Sequence, residues 1–406
     1  GTQICTGNAE TFTITVNPLI TMQPLAPIIV CAGDQVPMIS FSGNAQPSVF
    51  NWTNSNPSIG IPASGTGPIP AFVAINSGAA AQTANITVTP AFVNGTNTCA
   101  ISPESFMITV NPTPQLILPS AQVLCSGSLV SALNFNSNTT NTIFTWNNSN
   151  TAIGLSANGT GSITPFTAQN VSNGPQVSTL VITASYTNAG LTCQTTSSTS
   201  ITVNPSPNVV DPSDQNLCVG NQSLPVLFSG NVSGTTFSWT NNNPSVGIPT
   251  SGTGNIASIT GQNPGQTPIV ATISVQAQYS NAGQLCLGNT ETFTITVNPE
   301  PQVVAPQHQV VCNGSQVAAV NFTGPSTGTT YIWTNNNPSI GLAASGTGNI
   351  GVFTANNPGN TPITATITVT AQYVNGTQIC TGNAETFTIT VNPSPNVVDP
   401  SDQNLC

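Results

Sequence analysis

The chain has no lysine and no arginine in 406 residues, and only ten carboxylates and one histidine, His308. A soluble domain is ordinarily about a quarter charged, so roughly a hundred charges would be expected. With no cation to neutralise phosphate, nucleic acid is excluded as a partner. A polybasic contact with an anionic membrane surface is excluded for the same reason. No apolar run reaches the length of a membrane-spanning helix, so direct membrane insertion is not expected. A lysine–asparagine isopeptide bond cannot form within this segment, and trypsin has no site to cut. Metal binding by cysteine is disfavoured, because no CxxC occurs and His308 has no cluster around it. Catalysis needs a placed base, nucleophile or metal. Scattered carboxylates such as Asp34, Glu104, Asp211, Asp214, Glu291, Glu300 and Glu385 supply no such constellation, so no enzyme and no cofactor is expected.

What the chain does have is Thr, Val, Ile, Asn and Ser, with 38% hydrophobic residues, a composition that argues against disorder. It also has a period. Cys31 and Cys99 lie 68 positions apart, and so do Cys125 and Cys193, Cys218 and Cys286, and Cys312 and Cys380. The first member of each pair recurs after 93 or 94 residues. A fixed period of this kind marks a tandem array of one domain type. Each unit closes on a run such as TFTITVNP, and cutting after its proline gives four repeats: 19–112, 113–205, 206–299 and 300–393. Residues 1–18 read as the end of a preceding repeat and 394–406 as the start of a following one. Residues 1–18 repeat 376–393 identically, and 394–406 repeat 206–218 identically, so a longer array built from a two-domain super-repeat is expected. Cys5 and Cys406 are then half-pairs.

Within the fourth repeat, 302–312 reads as a first, edge strand interrupted by Pro306. Further strands are expected from Val317, from Thr329 through Trp333, and from Asn349. Ile363 onward alternates strictly, with Ile363, Ala365, Ile367, Val369, Ala371 and Tyr373 on one face. The last strand turns Phe387, Ile389 and Val391 inward. Six or seven short strands with frequent turn residues predict an all-β fold: a tandem array of immunoglobulin-like antiparallel β-sandwiches. Trp52, Trp146, Trp239 and Trp333 each lie 21 residues after the first cysteine of their repeat and are expected as core anchors rather than sugar platforms.

Paired cysteines in such repeats read as disulfides of an oxidising compartment. If the first cysteine sits where the first strand begins, and the second in the last hairpin, both lie at one pole. Pairing within each repeat, as in Cys312–Cys380, is then expected. It would stabilise by about 4 kcal/mol through loop closure. The alternative, Cys99 with Cys125 across a boundary, would have to span about 35–40 Å. The SGTG segments (Ser64–Gly67, Ser251–Gly254, Ser345–Gly348, and NGTG at Asn158–Gly161) precede no helix and are expected as turns. Asp211 and Asp214 are expected as solvated turn residues rather than calcium ligands.

The unit Val311-Cys312-Asn313-Gly314, Trp333 to Gly341, Ser345 to Gly348 and Thr386 to Pro393 resembles the PKD-like, immunoglobulin-like repeat of very large secreted Bacteroidota proteins. The resemblance covers the whole chain. It implies export, by the type IX route, and display at the cell surface in an adhesin or fibre; it implies no catalytic residue. A structural stalk or fibre segment is the leading expectation, giving reach, rigidity and protease resistance, with neighbouring repeats of the same polypeptide as partners. Two alternatives stand beside it. One is an adhesive array that contacts surface glycans. The other is a self-assembling filament of several copies, since low charge removes repulsion and edge-strand lysines.

Overall fold

The computed structural model describes residues 1–403; Cys406, and with it the end of the segment 394–406, lies outside the described residues. The molecule is a tandem array of immunoglobulin-like β-sandwiches. Four separate hydrophobic cores follow one another along the chain, around Trp52, Trp146, Trp239 and Trp333. Two compact units contain them, residues 1–204 and 205–406, each holding two repeats.

The fourth repeat shows the plan. Its main sheet has five strands in the order Gln309–Cys312, Gln378–Asn392, Ile363–Asn375, Thr329–Asn335 and Ser345–Thr347. The alternating run Ile363–Asn375 is central, and Ala365, Ile367, Val369 and Ala371 are fully buried while its threonines face outward. Phe387, Ile389 and Val391 on the neighbouring strand are equally buried. The opposing layer is reduced. It consists of Gln316–Val317 paired with Phe353–Thr354, and a single bridge between Val320 and Ile350. The longer strands expected from Val317 and Asn349 shrink to these short pieces. Their apolar residues are spaced to reach the core from loops rather than to sustain a ladder.

Two local features account for the wealth of asparagine. The buried Asn335 donates through Nδ2 to the Leu342 carbonyl (3.0 Å) and accepts the Asn337 N–H at Oδ1 (2.9 Å), which fastens the short 3-10 turn Pro338–Ile340. Asn54, Asn148 and Asn241 do the same in the other repeats. Asn357 donates to the carbonyls of Thr361 (2.9 Å) and Val391 (2.8 Å), tying a loop to the last strand. Asn76, Asn170 and Asn263 repeat that contact. A neutral amide offers donors and an acceptor together, so it satisfies buried backbone without bringing a charge into the core.

The SGTG segments are short strands rather than simple turns. Ser345–Thr347 pairs with the tryptophan strand, placing Gly346 opposite Trp333, and the chain turns only at Gly348, whose φ is +70°. The pairing recurs as Gly65 with Trp52, Gly159 with Trp146 and Gly252 with Trp239. A Cβ at any of these glycines would overlap the indole ring, so the glycine is what lets the tryptophan lie flat on the strand.

The first strand departs from the expected antiparallel pattern. Gln309–Cys312 runs parallel to the last strand, with Cys312 opposite Asn392. The same parallel register puts Cys31 opposite Asn111, Cys125 opposite Asn204 and Cys218 opposite Asn298.

Candidate functional site at the repeat junctions

That register decides where the cysteines meet. In the second repeat, Cys193 stands at the start of the last strand, Leu191–Asn204, and Cys125 pairs beside its end. Eleven residues of strand separate the two positions, about 36 Å. A disulfide needs its Cα atoms within about 7 Å. Pairing inside a repeat is therefore impossible, and the expectation of it is corrected. The first cysteine lies at the end of its strand, not the beginning, and a parallel strand carries it to the far pole.

At that pole stands the hairpin of the next repeat. Cys31 of the first repeat is bonded to Cys193 of the second, with Cα atoms 5.6 Å apart and 162 positions between them. Cys218 of the third repeat is bonded to Cys380 of the fourth, at 5.5 Å and the same separation. Cys125 and Cys286 are disulfide-bonded as well. Cys99 and Cys312, expected in pairs, are exposed free thiols, as is Cys5.

An asparagine contact accompanies each of the two bonds. Asn111 closes the last strand of the first repeat and is completely buried. Its Nδ2 donates to the Asn188 carbonyl (3.2 Å), and Asn188 Nδ2 donates back to Asn111 Oδ1 (2.9 Å). Asn188 precedes the two-residue turn Ala189-Gly190, both at positive φ (+49° and +82°), the geometry of a tight hairpin. In the second unit Asn375 Nδ2 donates to the buried Asn298 Oδ1 (2.8 Å), and Asn216 Nδ2 donates to the Asn375 carbonyl (3.0 Å). Loops add to both junctions. Thr140 donates its N–H and its hydroxyl to the Ala79 carbonyl (both 3.0 Å), and Ser326 donates to Gln266 Oε1 (2.8 Å).

The Asn-Pro-x-Pro linkers are held down too. Pro207 and Pro301 lie with their carbonyls directly against Gly288 and Gly382, where no side chain would fit. The Val209 N–H donates to Asn289 Oδ1 (2.8 Å). At the junction of the third and fourth repeats, the covalent bond, the buried amide pair and the Pro301 carbonyl docked on Gly382 together restrict the swivel that a short linker alone would leave.

The other candidate residues have structural surroundings. Trp52, Trp146, Trp239 and Trp333 are 4%, 6%, 7% and 7% exposed, too little to present a ring face to a sugar. Asp214 Oδ1 accepts the Thr294 N–H (2.6 Å), and in the next repeat His308 Nδ1 accepts the equivalent Thr388 N–H (2.9 Å). Carboxylate and imidazole thus do the same task of securing the edge of the last strand. Among the described residues no three His, Cys, Asp or Glu side chains gather into a metal-sized cluster, and no helix is long and apolar enough to cross a membrane.

No known protein family matches the chain, and no curated protein does. Among solved structures it is similar to the titin I-band fragment I67-I69, at 12% identity over 69% of this chain and 98% of that one, with a TM-score of 0.38. Sidekick-1 immunoglobulin domains 1-5 match at 14% identity over 92% and 81% of the two chains, with a TM-score of 0.27. Drosophila N-cadherin EC1-4 matches at 11% over 91% and 100%, with a TM-score of 0.26.

Proposed function

We propose that the chain is a load-bearing segment of an extracellular stalk or fibre of a bacterial surface protein, of the secreted Bacteroidota kind that its motifs resemble. The observation that carries this reading is the bonding of one repeat to the next through Cys31–Cys193 and Cys218–Cys380. A bond within a domain stabilises that domain; a bond between domains fixes their relation and carries tension past both. The mechanical units are the repeats 19–112, 113–205, 206–299 and 300–393, with 1–18 and 394–406 belonging to flanking ones. Disulfides support an oxidising compartment for the protein. The absence of lysine and arginine denies Lys/Arg-directed proteases such as trypsin a cleavage site. Burial of the four tryptophans counts against an aromatic glycan platform.

Electron microscopy of intact cells, with antibody to this segment, tests the reading. Label on thin threads outside the envelope is expected. Label confined to the cell interior, or native cysteines that all react with a thiol reagent before reduction, would overturn it.

A further inference from the structure

A load-bearing role leaves the outer faces of the main sheets without a task. In the third repeat that face carries two neighbouring cross-strand rows, Thr253–Ser238–Gln276–Thr290 and Ser251–Thr240–Ser274–Thr292. Residues two apart on a strand share a face, so both rows point away from the core and the residues between them point into it. Trp239 and Gly252 are such an intervening pair, and they leave only main chain as the floor between the rows. The result is a shallow recess of about 450 Å³, open to solvent. The fourth repeat has the same recess in the same place, about 300 Å³ in volume. There Thr334 pairs with Ser345 and Ile332 with Thr347, while Thr368 and Thr370 close the side towards the centre of the sheet.

The lining is chemically narrow. No charged side chain lines either recess, so an anion meets no cation there and a cation no carboxylate. Ser238 Oγ accepts from Gln278 Nε2 (2.8 Å). Among the described residues, the hydroxyls of Thr240, Ser251 and Ser274 in the third repeat, and of Thr334, Ser345 and Thr368 in the fourth, have no hydrogen-bond partner within the protein. Each hydroxyl can donate and accept. Protein interfaces are anchored by aromatic, Met and Arg side chains, and neither recess presents one, because the indoles lie on the core side of the sheet. The ligand that matches unspent hydroxyls on an uncharged surface is one that is itself dense in hydroxyls and uncharged. An open recess admits the middle of a long chain. Thr240 and Thr334 lie 94 positions apart, so a polymer can engage the site again at the next repeat, and weak contacts add as avidity.

We propose that the outer sheet faces of the third and fourth repeats bind neutral polysaccharide in these two recesses, by hydrogen bonds to hydroxyls rather than by ring stacking. The inference goes beyond the stalk reading and does not depend on it.

Native electrophoresis of the 406-residue chain through gels containing galactomannan, laminarin, xyloglucan or dextran tests it, with alginate as the charged control. Retardation by at least one neutral polymer, and none by alginate, is expected. The quadruple variant T240V/S274A/T334V/T368V should weaken that retardation by about tenfold. S251Y/S345Y, which fills both recesses from the short edge strand, should do the same, and urea unfolding checks that each variant keeps its fold. T364V, on the strand of Thr368 but outside the recess, should leave retardation unchanged. Passage of the native chain through all four neutral gels without retardation would overturn the proposal, as would full retardation of both folded recess variants. So would sedimentation, without polysaccharide, showing a dimer that the quadruple variant loses, since the face would then be a contact between copies.

Discussion

Pulling the chain between handles at positions 1 and 205 distinguishes a staple between repeats from one within them. With Cys31–Cys193 intact, tension passes across the bond, and the 162 positions between the two sulfurs bear no load. The stretch from 1 to 205 then offers 42 extensible residues, 204 less the hidden 162, or about 140–150 Å at ~3.3–3.6 Å each. Reducing the bond under force releases the hidden loop in one step of about 530–580 Å. Bonds inside each repeat would behave differently. They would hide 68 positions apiece, leaving an oxidised length of about 220–240 Å and two separate release steps of that same size. The assay is a constant-force trace in an optical or magnetic trap, first without and then with a thiol reductant. Two steps of equal size, or full extension before any reductant is added, would refute the inter-repeat bond.

Further outcomes can be read in ordinary solution measurements. Loss of the Cys31–Cys193 bond, as in C31S/C193S, should lower the unfolding free energy of the first unit by about 5 kcal/mol on the chain-entropy argument for a loop of 162 residues, measured in urea. Gly346→Ala forces a methyl into the Trp333 ring and should cost about 1–3 kcal/mol, with a shift of tryptophan emission on a denaturation curve. Asn188→Ala leaves the buried Asn111 Oδ1 without its donor while the backbone carbonyl of residue 188 still accepts from Asn111 Nδ2; it should cost about 1–3 kcal/mol and should speed reduction of Cys31–Cys193 followed by timed alkylation. Burial beside Phe322 raises the Tyr331 phenol above its ordinary value of 10.0. Below that value both folded and unfolded chains keep the proton and nothing is lost. Above it the unfolded chain ionises first, so the fourth repeat should lose stability as pH rises towards the folded value, which urea unfolding at a series of alkaline pH values measures, with Tyr331→Phe removing that loss.

Much of the repeat was legible because side-chain alternation is a local signal. The face formed by Ala365, Ile367, Val369 and Ala371 lies at the core as the period of two requires. The strand Thr329–Asn335 spans its run of β-branched and aromatic residues and ends one residue beyond it. The thin second layer was harder to read. A residue such as Val320 or Ile350 needs only a single bridge to reach the core, and the sequence of a one-residue bridge looks like that of a strand. The glycine of SGTG looks like a turn residue in the sequence because its constraint comes from Trp333, a residue on another strand. The asparagines carried no recognisable signal either. Asn111 and Asn357 are written with the same letter as dozens of exposed ones, and only burial separates them.

The cysteine pairing illustrates how a correct distance can lead to a wrong partner. One repeat length of about 35–40 Å does forbid one class of bond. The forbidden bond turns out to be the one within a repeat. Everything depends on the direction of a four-residue strand, Gln309–Cys312 and its equivalents. Run antiparallel to the last strand, it would leave its cysteine at the hairpin pole of its own repeat. Run parallel, it delivers the cysteine to the opposite pole. Alternation cannot report direction, because the pattern is the same read either way. The constant spacing of 68 between cysteines is a property of the repeat, whereas the bonded spacing is 162, a repeat longer, and a period alone is equally compatible with both. The parallel strand therefore changes the role of the cysteine pair: it turns what would be a lock on one domain into a joint between two.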